Sequence, residues 1–479
     1  MIKLSLKPTA LALFCAVTLS ACAVGPDYKT PSTEVGQAFN NAVNPGFSEQ
    51  AVEISWWQLF ADQGLTELVK QTLLHNRDLQ AARANFQEAR ALYMESGLNL
   101  APTVTSRANY TEQKRSLGAM NNLNYAPRDL KLYNTGFDAF WEIDFFGRVR
   151  RNVEASGDEV DAQEAGLKDL KVSLIAELGR NYFELRGLQN QLAVAKKNAQ
   201  NQTQTLEITR VKLENGRGTE LDTARATAQL DTTLATVLPL ESLIHQAMHR
   251  LSVLSGQLPG ALTEKLSQAL PLPKMPETIK IGKPAELLRR RPDIRMAERT
   301  LAAATARIGV ATADLFPKVT FVGTIALEAS TFSGIGAARS DSYSLGPRIS
   351  WAALDLGRVY ARIKAADART EASLAQYEQT VLNALEETEN ALVNYNRENK
   401  RRELLAAAAQ ASAKAHDLAH LRFDQGINDF LTVLDAELRL LQDQQRLAVS
   451  ETATATALTG LYKALGGGWE SNATPLSVP

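Results

Sequence analysis

Four of the five histidines carry the most recognisable ligand chemistry in this chain. His245-Gln246-Ala247-Met248-His249 and His416-Asp417-Leu418-Ala419-His420 each set two imidazoles four residues apart. On a helix that spacing places both rings on one face, where they can share an ion. Neither pair carries the glutamate of a zinc-protease helix, and both lie among other polar residues. A solvated helix face is therefore the default reading, and no metal or other cofactor is assigned. Arg289-Arg290-Arg291 is too short a basic run to mark nucleic-acid binding, and 52 basic residues balance 53 acidic ones. No Gly-rich phosphate loop is present, and no carboxylate pair stands out at the separation a glycosidase needs. These residues give no case for an enzyme.

A different chemistry is written at the N-terminus. Lys3 and Lys7 precede the short apolar run Leu11-Ala12-Leu13-Phe14-Cys15-Ala16-Val17, which ends in Leu19-Ser20-Ala21-Cys22. The run is too short to span a bilayer and reads as a signal peptide over residues 1–21. The tetrad resembles the bacterial lipobox, whose cysteine is acylated and becomes the first residue after cleavage. Cys22 is thus the expected lipidation site, and Ala23 in place of Asp suits the outer membrane. Losing Cys15 leaves one cysteine, already occupied by lipid, so no disulfide can form within the chain. Residues 22–60 read as a lipidated tether, since Gly25-Pro26-Asp27-Tyr28 to about Phe47 is rich in Pro, Asn and Gly.

The elements beyond this tether come in duplicate. Asn76-Arg77-Asp78 to Pro102 recurs as Arg291-Pro292-Asp293 to Pro317, an offset of 215 (317 − 102). Trp141…Phe146-Gly147-Arg148 recurs as Trp351…Leu356-Gly357-Arg358, and Asn215-Gly216 as Gln425-Gly426, an offset of 210 (426 − 216). One structural unit is therefore used twice. The repeats span 61–260 and 284–466, joined by a linker at 261–283 and followed by a tail at 467–479.

Each repeat contains a pair of period-two segments. Phe137 to Phe145, Val319 to Glu328 and Tyr343 to Trp351 alternate apolar and polar residues, with Thr103 to Thr111 a weaker example. Apolar-out, polar-in strands with aromatics near their ends suit an outer-membrane barrel. A soluble four-stranded sheet with one buried face shares that periodicity. On the barrel reading, arginine at Ile143 or Ile325 would be costly and at Glu142 far milder. Four strands cannot close a barrel, which needs roughly eight or more, so several chains would have to share one. Glu112 to Arg128 and Ser330 to Ser342 read as exposed loops.

The bulk is helical. Arg148 to about Glu214 and Arg358 to about Asp424 contain no proline and carry apolar residues at three-and-four spacing. Return helices follow each glycine turn, from Leu221 and from Leu431. Each repeat thus holds a long antiparallel hairpin with a coiled-coil seam. Acidic residues gather at the turns: Glu220 and Asp222 at the first, Asp424, Asp429 and Asp435 at the second.

The combination Arg291-Pro292-Asp293-Ile294…Ala306-Arg307-Ile308-Gly309…Phe316-Pro317, with Leu254-Ser255-Gly256, Leu356-Gly357-Arg358 and Cys22-Ala23-Val24-Gly25-Pro26-Asp27-Tyr28, resembles the TolC/OprM-like outer membrane factors. Their lipoprotein branch, the NodT type, is the most similar. The resemblance implies an α+β membrane protein: a homotrimer whose twelve strands, four per chain, form one barrel in outer-membrane lipid. That barrel continues into a long periplasmic helical barrel. It further implies the exit channel of a tripartite efflux system. Such a channel passively conducts drugs or other small toxic compounds from a periplasmic adaptor and an inner-membrane transporter of the proton-driven RND type. The duct of a type I secretion system, or a lipid-anchored coiled-coil scaffold without a pore, are the alternatives. The family's Leu-Asp-Ala gate pattern falls on Leu434-Asp435-Ala436. Asp435 is the expected gate residue, Leu431 an apolar constriction, and Asp429, Asp222 and Glu220 add to the periplasmic ring. Some relatives carry arginine three residues after the aspartate; here that position is Leu438. Arg217, Lys212 and Arg439 stay open as the closing partner.

Overall fold

A computed structural model describes residues 23–33, 35–42, 46–116, 118 and 127–469. Cys22, the signal peptide, most of the tail and part of the Glu112–Arg128 loop lie outside these residues. The duplication is explicit in three dimensions. α2 (Arg77–Leu98) and α7 (Pro292–Ala313) have 22 residues each, and β2 (Thr103–Lys114) and β5 (Lys318–Ala329) have 12 each. β3 (Asp129–Ile143) corresponds to β6 (Asp341–Ser350). The long helices α3 (Arg148–Glu214) and α8 (Leu356–Asp424) have 67 and 69 residues, roughly 100 Å at 1.5 Å per residue. Their return helices α4 (Glu220–Leu254) and α9 (Phe430–Ala464) have 35 each. Short helices α1 (Gln63–His75) and α6 (Pro284–Arg290) precede α2 and α7. The inter-repeat linker is less featureless than its composition suggests. It holds the helical turn α5 (Thr263–Ser267) and the strand β4 (Ile279–Lys280), which pairs in parallel with β1 (Phe47–Ser48).

Two compact units cut across the repeats, each drawing on both. The first contains Asn85–Glu164, Met296–Glu378 and the N-terminal segment up to Ser32; the second contains Thr33–Ala84, Ala165–Arg295 and the chain from Gln379.

The first unit holds the sheet, in the order β2-β3-β5-β6 and antiparallel throughout. The strands are longer than their alternation suggested, with β3 starting at Asp129 well before Phe137 and β2 running on through Glu112. The register keeps the two faces separate. Ser106, Phe137, Ile325 and Tyr343 lie in one row across the sheet, and Arg107, Gly136, Ala326 and Ser342 in the next. Val104, Phe137, Ile325, Tyr343, Leu345 and Ile349 share the first face and all are exposed. On the other face Arg107 pairs with Asp138 at 3.2 Å, Thr324 donates to Asp138 at 2.8 Å, and Asn134 donates to Glu328 at 2.7 Å. An apolar face left uncovered beside a cross-linked polar face is the reverse of a soluble sheet with one buried side. The duplicated tryptophans end the strands identically: Trp141 Nε1 donates to the Leu100 carbonyl and Trp351 Nε1 to that of Leu315, both at 3.0 Å.

The second unit carries an aromatic core. Trp56 stacks on Tyr462 with centroids 5.4 Å apart, and Phe60 meets Phe183 at 4.7 Å. Trp56, Tyr182, Phe183 and Tyr462 are fully buried. The Tyr182 hydroxyl donates to Asp62 at 2.7 Å, which gives its polar end a partner. No helix among the described residues is long and apolar enough to cross a membrane.

Candidate functional site

Each hairpin is closed by the same backbone device. Gly216 and Gly426 take φ of +69° and +72°, the left-handed conformation glycine adopts without a Cβ clash. The Arg217 and Ile427 amides then turn back onto the Lys212 and Arg422 carbonyls at 2.8 and 2.9 Å. Thr219 and Asp429, 210 positions apart, are the N-caps of α4 and α9. Thr219 accepts from the Asp222 amide at 3.2 Å, and Asp429 from the Thr432 amide at 3.0 Å.

These contacts divide the acidic residues expected at the gate. Hydrogen bonds from the Thr432 hydroxyl and amide occupy Asp429 and hold its pKa below the usual aspartate range. Asp222 accepts from the Thr219 hydroxyl at 2.6 Å, completing a reciprocal cap, and Glu220 opens the first turn of α4. Asp435 differs: it is exposed and has no hydrogen-bond or ion-pair partner among the described residues. Leu431 is half-exposed one turn earlier on the same helical face. The opposite face of α9 packs inward through Phe430, Val433, Glu437 and Leu440. Phe430 and Val433 meet Leu206 of α3 and Ala226 of α4 in one buried cluster on that inner side. Of the three basic candidates, Lys212 places its Nζ 3.4 Å from the Phe423 ring centroid and is engaged there.

The duplicated motif that precedes α2 and α7 is a joint. Arg291 donates to the Ala464 carbonyl, at the last residue of α9, at 2.9 Å, and pairs with Asp293 at 2.8 Å and Glu387 at 2.7 Å. Its counterpart Asn76 (291 − 215) donates to the Leu254 carbonyl, at the last residue of α4, at 3.0 Å. Both side chains satisfy a carbonyl that the helix end leaves unpaired. Burial alone would raise the Glu387 pKa, but Arg291 and Lys463 override it and hold the carboxyl below the usual glutamate range.

Within the first unit, the N-terminal segment is docked beside β3 and α3. Gly147, at φ +80°, lies so close to Ala23 that a Cβ there would approach the Ala23 Cα within 2.6 Å. The Val24 amide donates to the Phe146 carbonyl at 3.1 Å, and Arg151 reaches the Val24 carbonyl at 3.2 Å and Asp27 at 2.7 Å. The residue that follows Cys22 is therefore fixed where β3 passes into α3.

An uncovered apolar sheet whose edges need partners, joined to long paired hairpins, defines a membrane duct built from several copies. The sequence model of the outer membrane efflux proteins matches residues 68–257 and 284–467, and the chain belongs to that family. It is 29% identical over 457 residues to Nodulation protein T of Rhizobium leguminosarum bv. trifolii, covering 95% of this chain and 96% of that one. Among solved structures, the outer-membrane channel OprN is 41% identical with a TM-score of 0.87, covering 94% of this chain and all of the other. The MtrE outer membrane channel of Neisseria gonorrhoeae, solved in its open state, is 28% identical with a TM-score of 0.83, covering 94% of this chain and 99% of the other. The protein is an outer-membrane efflux channel of the trimeric barrel-and-helix class, located in the outer membrane with a large periplasmic extension.

Proposed function

We propose that this channel is the passive exit duct of a tripartite pump, shut at the periplasmic tip by Leu431 and Asp435. A periplasmic adaptor and a proton-driven RND-type transporter would supply drugs or other small toxic compounds. The observation that carries the gate is the exposed Asp435 above an exposed leucine, on a face of α9 that no described residue covers or pairs with. Three such carboxylates round an axis would repel one another unless bridged by cations. Arg217 and Arg439 remain as bridging groups, because Lys212 is committed to Phe423. Asp429, Asp222 and Glu220 contribute charge to the ring but cap or open their helices, so Asp435 is the discriminating position. In planar bilayers, Leu431→Ala with Asp435→Ala should raise single-channel conductance severalfold over the parent. Unchanged conductance from correctly assembled trimers would reduce both residues to ordinary surface positions.

Acylation of Cys22 belongs to the same reading. The docking of Ala23 at the foot of β3 would hold a lipidated cysteine beside the strands rather than at the end of a loose tether. Mass spectrometry of the mature N-terminal peptide should find acylated Cys22; a peptide that starts at Ala23 or later without lipid would refute it.

A further inference from the structure

The two histidine pairs, alike in sequence, have different surroundings. His245 and His249 lie on an exposed face of α4 with ring centroids 6.3 Å apart, and among the described residues no carboxylate joins them in a three-residue cluster. His416 and His420 lie 4.5 Å apart on α8, and Glu437 reaches them from the facing helix α9. One ligand atom from each of the three falls within 4.8 Å of the others. His420 Nε2 is 3.0 Å from Glu437 Oε1, and the Thr205 hydroxyl of α3 donates to that same oxygen at 2.7 Å. The other carboxylate oxygen, Oε2, has no hydrogen-bond partner among the described residues, although Glu437 is only 5% exposed.

A buried carboxylate oxygen without a donor costs free energy, and a cation is the ligand that satisfies it most directly. We propose that His416, His420 and Glu437 form a divalent transition-metal site of the zinc class, with two imidazoles, one carboxylate and a fourth position for water. Metal–nitrogen and metal–oxygen bonds of about 2.0–2.2 Å need the three ligand atoms slightly closer than they stand, a small rotamer change. The outer contacts are already built. Asp417 lies 3.0 Å from His416 Nδ1 and orients that ring, while Thr205 fixes the Glu437 carboxylate. Imidazole and carboxylate together suit zinc over magnesium or calcium, which take oxygen ligands. A bound ion would staple α8 to α9 just inside the second hairpin turn. That structural effect does not depend on Leu431 and Asp435 acting as a gate.

Untagged full-length trimer in detergent, stripped with a chelator and titrated with Co²⁺, should bind one ion per chain. Visible d–d absorption of low-coordinate cobalt should appear and be displaced by Zn²⁺. His416→Asn and Glu437→Gln should each weaken Zn²⁺ binding by about tenfold or more. His245→Asn with His249→Asn should leave it unchanged. Glu437→Gln preserves shape, and trimer retention on gel filtration confirms that the variants fold. No cobalt absorption in the parent, or binding that survives Glu437→Gln, overturns the site; so does binding lost with the His245 and His249 changes.

Discussion

At the scale of single residues, the side chains that matter most here are polar and buried. Arg291 binds the end of α9, Asp293 and Glu387 at once, so its removal would leave the Ala464 carbonyl only the longer contact from the Thr388 hydroxyl, at 3.3 Å, and loosen two carboxylates. Arg291→Met should cost about 2–4 kcal/mol, below the full value for a buried pair because Glu387 keeps some solvent contact. The pH dependence has a defined sign. Glu387 is held below its unfolded pKa, so its contribution is fully present above the ordinary glutamate range and is lost as pH falls through the depressed folded value. Thermal melts of the parent and Arg291→Met should therefore differ most near neutrality and converge under acid. A gap that widens on acidification would contradict this assignment. The sequence marked Arg291 by its repetition but not its role, because the Ala464 carbonyl it serves lies 173 positions away. Glu437 escaped notice for a related reason. The histidine spacing is visible along α8, whereas the carboxylate that completes the cluster comes from another helix.

At the scale of elements, periodicity was legible wherever one face of an element has one environment. The strands declared their two faces through alternation, and the register keeps those faces intact across all four. The hairpins declared their turns through Asn215-Gly216 and Gln425-Gly426, whose glycines take the left-handed conformation that a Cβ disfavours. Strand ends were less legible, because Glu112–Lys114 of β2 and Asp341–Ser342 of β6 run on as hydrogen-bonded ladder where composition suggested loop. One expectation about the strands needs correction. Glu142 does not tolerate arginine merely because it lies on the polar face: it binds the Arg148 guanidinium through both carboxylate oxygens, at 2.7 and 2.5 Å, and is mostly buried. Glu142→Arg would set two guanidinium groups against each other at the junction of β3 and α3. Ser344, exposed on the same polar face, is the suitable comparison. Ile325→Arg, mid-strand on the apolar face, should cost about 2–4 kcal/mol of barrel stability, and Ser344→Arg well under half of that. Urea or heat resistance of the folded species on gels would rank them, and equal losses would remove the lipid-facing assignment of Ile325.

At the scale of the whole molecule, the sheet's own edges dictate the assembly. Among the described residues of one chain β2 and β6 each have a single neighbour, and both present unpaired backbone groups that lipid cannot satisfy. Because all three pairings are antiparallel, β2 and β6 run in opposite directions. Joining β6 of one copy to β2 of the next therefore continues the antiparallel order without a break. Repeated round an axis, it closes the barrel with every ladder filled. Joining β2 to β2 or β6 to β6 is also antiparallel, but each such pair is two-fold and cannot extend round a three-membered ring. The seam is thus fixed by topology, and it can be read chemically. Chains carrying one introduced cysteine in β2 and one in β6, scanned along both strands, should oxidise to covalent trimers at a single register. Cysteine pairs confined to β3 and β5 should give none, because those strands meet only neighbours of their own chain. Dimers that form from β2 cysteines alone would break the ring, and a detergent-stable monomer with full strand content would show that the edges need no partner.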